Sequence, residues 1–323
     1  MNLLSPEEIA PVKADLDRTL ATLDSLLLGR PELHRLVLAG ILAKGHILLE
    51  GLPGLGKTAL VKALSEILEL DSKRIQFTPD LMPSDILGAH MLETRTDGQR
   101  EMVFKPGPVF CNLLLADEIN RASPKTQSAM LETMQERAVT LMGVTRPLPD
   151  PFFVLASQNP IELEGTYPLP EAQTDRFLFK LPVAAPSAET LAAIITSRSH
   201  GTLPKPAFTL PREALLRAFE TVRRIVLPEA VANWIRRLVA STHTTDYVTY
   251  GASPRAAIAL AEAARAVALL DGRPSVGFDD VRAVAFPVLN HRLILDYRAK
   301  LDHVTAKQVV DTVLANVPCV PLA

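Results

Sequence analysis

Gly51-Leu-Pro-Gly-Leu-Gly-Lys-Thr58 fits the pattern G-x-x-x-x-G-K-[ST], a glycine-rich loop whose backbone N–H groups turn inward around phosphate oxygens. Its flanks agree with that reading. His46-Ile-Leu-Leu-Glu50, just before it, is a short apolar run of the kind that forms a buried parallel strand. Ala59 to Leu68, just after it, carries apolar residues at helical spacing. Strand, loop and helix in that order predict a phosphate cradle at a helix N-terminus, where the backbone adds positive partial charge. Lys57 is then placed to reach the β- and γ-phosphates of a nucleotide, and the Thr58 hydroxyl to ligate Mg²⁺.

Downstream, Asn112-Leu-Leu-Leu-Ala-Asp-Glu118 is an apolar strand ending in two acids. The C-terminal edge of a parallel sheet is where such sheets bind ligands. Asp117 suits holding Mg²⁺ through water, and Glu118 suits orienting and deprotonating an attacking water. Two solvated acids in a surface turn would read the same way, and the phosphate loop upstream is what favours the catalytic assignment. Asn159 lies just past another apolar strand, Phe152 to Ser157. Its amide is positioned to hold water against a γ-phosphate, although an Asn after a strand is also a common turn former.

The remaining segments build outward from these two signatures. Ser5-Pro-Glu-Glu8 predicts a capped helix start, with a second helix from Pro31 to about Lys44. Arg74 to Thr78 reads as a strand. Gly88 to Phe104, with Asp97-Gly98 between β-compatible arms, predicts a hairpin. Ser123-Pro124 opens another helix, and Ala138 to Leu148 predicts a second hairpin around Gly143. Leu169 to Leu181 reads as a helix running into a last apolar strand. Five strands interleaved with helices predict a doubly wound α/β fold with a parallel sheet.

Pro182-Val-Ala-Ala-Pro186 reads as a linker. Beyond it strand signals fade into helical ones, so residues 1–183 are expected to form the nucleotide-binding α/β domain and 184–323 an α-helical domain. Ser253 and Pro254 suit the start of a helix there, which puts Arg255 in its first turn. A cation is disfavoured at that end of the helix dipole. Either an anion comes close to Arg255 or its side chain simply reaches into water.

Composition narrows the function classes. With 34 basic and 36 acidic residues the chain has no global field to attract nucleic acid. No window approaches the apolar length of a membrane span, and the N-terminus lacks the pattern of an export signal. The two cysteines, Cys111 and Cys319, show no metal spacing, which points to a reducing cytoplasm.

Taken together, Gly51 to Thr58, Leu-Ala-Asp-Glu-Ile-Asn-Arg-Ala (115–122), Ala-Ser-Gln-Asn-Pro-Ile-Glu (156–162), Pro-Glu-Ala-Gln-Thr-Asp-Arg-Phe (170–177) and Gly-Ala-Ser-Pro-Arg (251–255) resemble the MoxR family of AAA+ ATPases. The resemblance runs from about Leu28 to His291. It implies a P-loop NTPase of the AAA+ type: a parallel five-stranded sheet sandwich, two β-hairpin inserts and an all-α C-terminal lid. It also implies an ATP site built by Gly51, Leu52, Pro53, Gly54, Leu55, Gly56, Lys57, Thr58 and Ala59, with Leu28 and Gly29 lining the adenine pocket. Asn159 matches sensor 1, Arg255 matches sensor 2 from the lid, and Arg176 matches an arginine finger that acts on the neighbouring subunit. Arg30 stands where many relatives carry Gln. Gln76 or Thr78 is placed to restrain Glu118.

The resemblance further implies a homo-oligomer, a hexameric ring, that hydrolyses ATP with Mg²⁺ to remodel, mature or insert metal into a protein client. A partner carrying a von Willebrand factor A domain is commonly part of such systems. A nucleic-acid-dependent motor and a subunit of a magnesium-chelatase-type motor share the architecture, and a nucleotide-gated binding module would share the loop. The mixed charge of the first hairpin, Arg95, Arg100 and Lys105 against Glu93, Asp97 and Glu101, favours proteins over phosphate backbones.

Overall fold

The computed structural model describes residues 3–96, 99–160, 166–197 and 204–319. Helix α1 (Pro6–Leu26) starts as its sequence dictates. Glu8 accepts the Ser5 N–H at 2.9 Å, Ser5 Oγ accepts the Glu8 N–H at 3.3 Å, and Pro6 takes the first helical position. Helix α2 (Pro31–Leu42) leads into β1 (Ile47–Glu50), and the glycine loop passes into α3 (Lys57–Ile67).

Next come β2 (Ser72–Gln76), the short α4 (Pro83–Leu87) and a hairpin of β3 (Gly88–Thr94) with β4 (Arg100–Pro106). Its antiparallel register runs from Gly88 opposite Pro106 to Thr94 opposite Arg100. The Asp97-Gly98 turn expected to join these arms lies outside the described residues. Strand β5 (Leu113–Asp117) is followed by a 3₁₀ turn (Ile119–Arg121) and by α5 (Pro124–Glu136), whose N-cap Ser123 accepts the Thr126 N–H. The second hairpin pairs β6 (Ala138–Leu141) with β7 (Val144–Pro147). Then come β8 (Phe153–Gln158), α6 (Glu171–Thr174) and β9 (Phe179–Pro182). The helix and last strand expected over Leu169–Leu181 are both present, the helix reduced to the single turn α6 and the strand being β9. Phe179 and Leu181 of β9 alternate into the core under α1, α2 and α3, while Phe177, just before the strand, is buried on the opposite side of the sheet.

The five-stranded sheet is parallel, in the order β2-β5-β8-β1-β9. Alternation along each strand splits the core in two. Ile47, Leu49, Leu113, Leu115, Phe153 and Leu155 face one side, in a core shared with α1, α2 and α3. Leu48, Leu114, Ala116, Val154 and Ala156 face the other, under Met130, Leu131 and Met134 of α5. The ends of β1, β2, β5 and β8 therefore come together at one edge. Glu50 stands opposite Gln158 there, and Gln76 opposite Asp117.

The rest of the chain is helical: α7 (Ala188–Ser197), α8 (Arg212–Arg224), α9 (Glu229–Ser241), α10 (Pro254–Leu270), α11 (Phe278–Leu289), α12 (Tyr297–Leu301) and α13 (Ala306–Asn316). A minimal ribbon, β10 (Val248–Tyr250) against β11 (Ile294–Leu295), is the one strand pairing described here. At three and two residues it is too short to show a period in the sequence. Most alanines of α10 are buried, which lets α2, α9 and α11 approach closely. The first two helices share this core, so the helical half is welded to the sheet half through α1 and α2. No helix among the described residues is long and apolar enough to cross a membrane.

Candidate nucleotide site

The loop has the shape its sequence demands. Gly54 and Gly56 take φ of +78° and +81°, a region L residues rarely adopt. Among the described residues, a Cβ at either would meet no atom within 4 Å. The concave side is therefore an open cradle, and Gly56 as N-cap of α3 directs the helix N–H groups into it. Lys57 is 8 % exposed, and its Nζ donates to Gly51 O at 2.8 Å. Burial lowers its proton affinity, while the charges of Asp117 and Glu118 work the other way, so both acids are electrically close to the ammonium. Thr58 is exposed beside it. These features fit the phosphates and Mg²⁺ of a nucleotide.

Behind the loop is a cavity of about 180 Å³, walled by Leu27, Leu28, Leu33, Leu49, Leu55 and Leu60, with His34 and Arg30 at its polar margin. An apolar slot beside a phosphate cradle suits a purine ring. Leu28 is in this wall. Gly29 is not, and it lines an adjoining cavity against Thr190. Leu52, Pro53 and Ala59 likewise lie off the cavity wall. Arg30 has a structural task that its sequence position does not disclose. Its guanidinium donates to Leu55 O at 2.6 Å and to Ala184 O at 2.9 Å, tying the loop to the chain leaving β9.

The two acids sit at the sheet edge next to the cradle. Ser157 Oγ donates to Asp117 Oδ1 at 2.5 Å and accepts the Glu118 N–H at 2.9 Å, so one hydroxyl fixes both. Arg74 donates to Asp117 Oδ2 from Nε and Nη2 at 3.2 and 2.8 Å. Glu118 leaves the strand with φ of +57°, a left-handed conformation that turns its carboxylate aside. There Oε2 accepts from Gln76 Nε2 at 2.8 Å and from Arg121 Nη1 at 2.9 Å. Of the two restraining residues expected from sequence, Gln76 makes the contact. Ser157, Arg74 and Arg121 were not singled out in the sequence. Arg74 is the nearest to having been legible, since it shares a face of β2 with Gln76.

The other candidates are spread wider. Asn159 is 6 % exposed and lines a cavity of mixed polar and apolar walls with Gln158, Asn120 and Lys180 at the ends of β1 and β8. Glu50, at the end of β1, is engaged by Gln158 Nε2 at 2.6 Å and by Lys180 Nζ at 2.8 Å. Arg176 lies elsewhere, in a polar cavity with Ser128, Glu132, Gln135, Glu136 and Gln173 along α5. Arg255 is exposed in the first turn of α10, as its neighbours Ser253 and Pro254 predict.

Comparison with known proteins agrees with this geometry. Residues 46–179 match the model of the ATPase family associated with various cellular activities (AAA), and 240–313 match the AAA lid domain. Chaperone MoxR1 of Mycobacterium tuberculosis is 42% identical over 320 residues, covering 96% of this chain and 84% of that protein. Protein MoxR of Paracoccus denitrificans is 33% identical over 331 residues, covering 94% and 95%. A crystal structure of a protein assigned as an ATPase, from Cytophaga hutchinsonii, superposes with a TM-score of 0.89 at 37% identity, over 98% of each chain. Glycine cradle, paired acids, five-stranded parallel sheet and helical lid therefore have one common origin: the chain belongs to the MoxR family of AAA+ ATPases and is an ATPase.

Proposed function

We propose that this chain is the subunit of a cytoplasmic hexameric ring that couples hydrolysis of Mg-ATP to remodelling, maturation or metal insertion of a protein client. Residues 1–183 form its nucleotide-binding domain and 184–323 its lid. One observation carries this proposal. Lys57, Asp117 and Glu118 converge on the cradle, while Arg176 lines a different cavity on the flank of α5. A subunit so built holds half of a phosphoryl-transfer site and offers the other half to a neighbour.

In this scheme Lys57 holds the β- and γ-phosphates, and Thr58 and Asp117 hold the metal, Asp117 through water. Mg²⁺ bound with the nucleotide supplies neutralisation of phosphate charge. Asn159 positions the attacking water at the sheet edge. Glu118, once released by Gln76 and Arg121, accepts the proton of that water. Arg255 approaches the γ-phosphate from the lid, and the partner's copy of Arg176 meets the charge that spreads over the transferring group.

The hairpins support a protein client over a nucleic acid. Two of the three basic side chains on the first are neutralised, Arg95 by Glu101 at 2.7 Å and Lys105 by Glu93 at 2.5 Å. Arg146 of the second lies over the Phe104 ring at 4.0 Å. What they expose instead is apolar: Met91, Leu92 and Met102 on one, Met142 and Val144 on the other. Flexible methionine surfaces suit varied polypeptide segments. A protein with a von Willebrand factor A domain is the partner that the family resemblance suggests.

Glu118→Gln tests the chemistry. It is expected to bind ATP as the parent does and to hydrolyse it at least about 100-fold more slowly, as loss of a general base requires. Turnover at the parent rate would remove Glu118 from that role. The same variant, loaded with ATP, is expected to retain ring and client together in a pull-down.

A further inference from the structure

Arg292, which follows α11, is a cation that the fold buries and fully engages away from the nucleotide cavity. Only 3 % of its side chain is exposed. Its Nε donates to Asp175 Oδ1 at 2.8 Å, and Nη1 donates to Leu178 O at 3.1 Å and to Val288 O. Nη2 donates to Phe177 O at 2.6 Å and Asp175 O at 3.2 Å. Asp175 and Phe177 are the residues on either side of Arg176. One guanidinium from the helical half thus holds both neighbours of the proposed finger.

A second tie comes from another lid element. Ser253 occupies the N-cap of α10 yet makes no capping hydrogen bond to its own helix. Its hydroxyl points instead at the Asp175 carboxylate, 3.2 and 3.4 Å from the two oxygens. Arg255 is two residues further along the same turn, and its charge is felt at Arg292. His291 Nε2 donates to Phe177 O at 3.0 Å, and Thr174 Oγ1 donates to His291 O at 3.4 Å. The segment from Thr174 to Leu178 is therefore bonded to the lid at several points.

A buried ion pair costs desolvation and is retained where its geometry is fully satisfied. This one is satisfied by the carbonyls of Asp175, Phe177 and Leu178 together with Val288 O of α11, which ties the turn around Arg176 to the lid. The Arg176 backbone N–H donates to Gln173 O at 3.2 Å, while its guanidinium lines the α5 cavity with no hydrogen bond or ion pair among the described residues, so that its place is set by the turn that carries it.

We propose that Asp175, clasped by Arg292 and Ser253, is a positioning residue through which the lid sets Arg176. Nucleotide engaged by Arg255 in one subunit would thereby adjust the finger presented to the next. The proposal rests on Arg176 acting across the subunit interface. It differs from a clasp that only cements the two halves, because its effect on turnover must pass through Arg176.

The test compares the full-length oligomer with its Asp175→Asn and Ser253→Ala variants, each with and without Arg176→Ala. Affinity for a non-hydrolysable ATP analogue, kcat and KM are measured for each. With Arg176 present, Asp175→Asn is expected to lower kcat by about 10-fold and Ser253→Ala by about 3-fold, as misplacement of a positioned group does, with analogue affinity within about 2-fold of the parent. With Arg176→Ala, neither is expected to lower turnover further, since residues acting through one group are not additive. Equal losses in both backgrounds, or a matching loss of analogue affinity, would overturn the proposal and leave a structural clasp. Parent-like kcat in both variants, with Arg176→Ala impaired, would overturn the coupling while sparing the finger. Parent-like kcat in Arg176→Ala itself would overturn the finger and the coupling with it. Should Asp175→Asn fail to fold, Ser253→Ala decides alone, because it removes a hydroxyl that does not cap its helix.

Discussion

At the scale of single residues the decisive one is Glu118. Its left-handed backbone costs roughly 1–2 kcal/mol for an L residue, and its carboxylate is turned toward Gln76 and Arg121. A hydrogen bond to a charged group is worth about 1.5–3 kcal/mol, enough to keep a base out of use. Gln76→Ala is therefore expected to raise basal ATP turnover, by about 10- to 100-fold on that energy scale. ATP affinity should not change. Steady-state hydrolysis by the isolated oligomer measures it, and unchanged or lower basal turnover would take Gln76 out of the restraining role. The cradle, Asp117 and Glu118 are legible in sequence because their chemistry is local: eight consecutive residues in one case, a strand end in the other. Gln76 is half legible, since strand pairing sets it opposite Asp117. Arg30, which staples Leu55 to Ala184, a residue 154 positions away from it in the sequence, is not legible, because nothing near it states where those carbonyls lie.

At the scale of elements, alternation along the strands announces a sheet buried on both faces, and Ile47 and Leu48 do fall into opposite cores. The one-turn α6 shows the limit. The sequence announces a helix followed by a strand here but not the boundary between them: the helix stops at Thr174, and the strand that pairs with β1 is Phe179–Pro182. His46 shows how one side chain can fasten elements. It stands just before β1, its Nδ1 accepts the Val154 N–H at 3.0 Å, and its Nε2 donates to Met134 O at 3.0 Å. Strand β8 and helix α5 are joined through a neutral ring. Burial is the main cause that pushes its pKa down to about 4, and the Arg137 charge adds to the effect. The unfolded chain takes up this proton near pH 6.5, while the folded one resists until about pH 4. The stability this site contributes is thus present above pH 6.5 and lost as pH falls through that window, by roughly 2 kcal/mol between pH 7 and 5. His46→Gln keeps a donor and an acceptor but cannot titrate. Denaturant unfolding at both pH values is expected to show a smaller acid loss in the variant by about that amount. Equal losses in the two proteins would mean that His46 carries no such linkage.

At the scale of the whole molecule the sequence is least explicit. The linker at Pro182–Pro186 suggests two independent halves, yet α1 and α2 share a core with α8 and α10. The Arg292 to Asp175 pair joins residues 117 apart in the chain. Such contacts are set by the packing of the halves and leave no periodic trace. The family resemblance carried Arg176 and Arg255 where spacing alone did not, and the geometry gives them a reason to be apart. Arg176 faces the acids of α5 on the flank of the sheet, and Arg255 opens α10 in the lid. In the proposed ring, a site divided in this way would be completed only by assembly.

That division is the central claim, and mixed oligomers test it most directly. Lys57→Ala carries a finger but no working cradle, and Arg176→Ala carries a cradle but no finger. Each alone is expected to be nearly inactive. Mixed in equal amounts and allowed to co-assemble, they form about a quarter of their interfaces from an intact cradle and an intact finger. Hydrolysis is predicted to reappear in the mixture, in proportion to those interfaces. Mixtures proven to contain both variants in one assembly, yet no more active than either alone, would contradict a site shared between subunits.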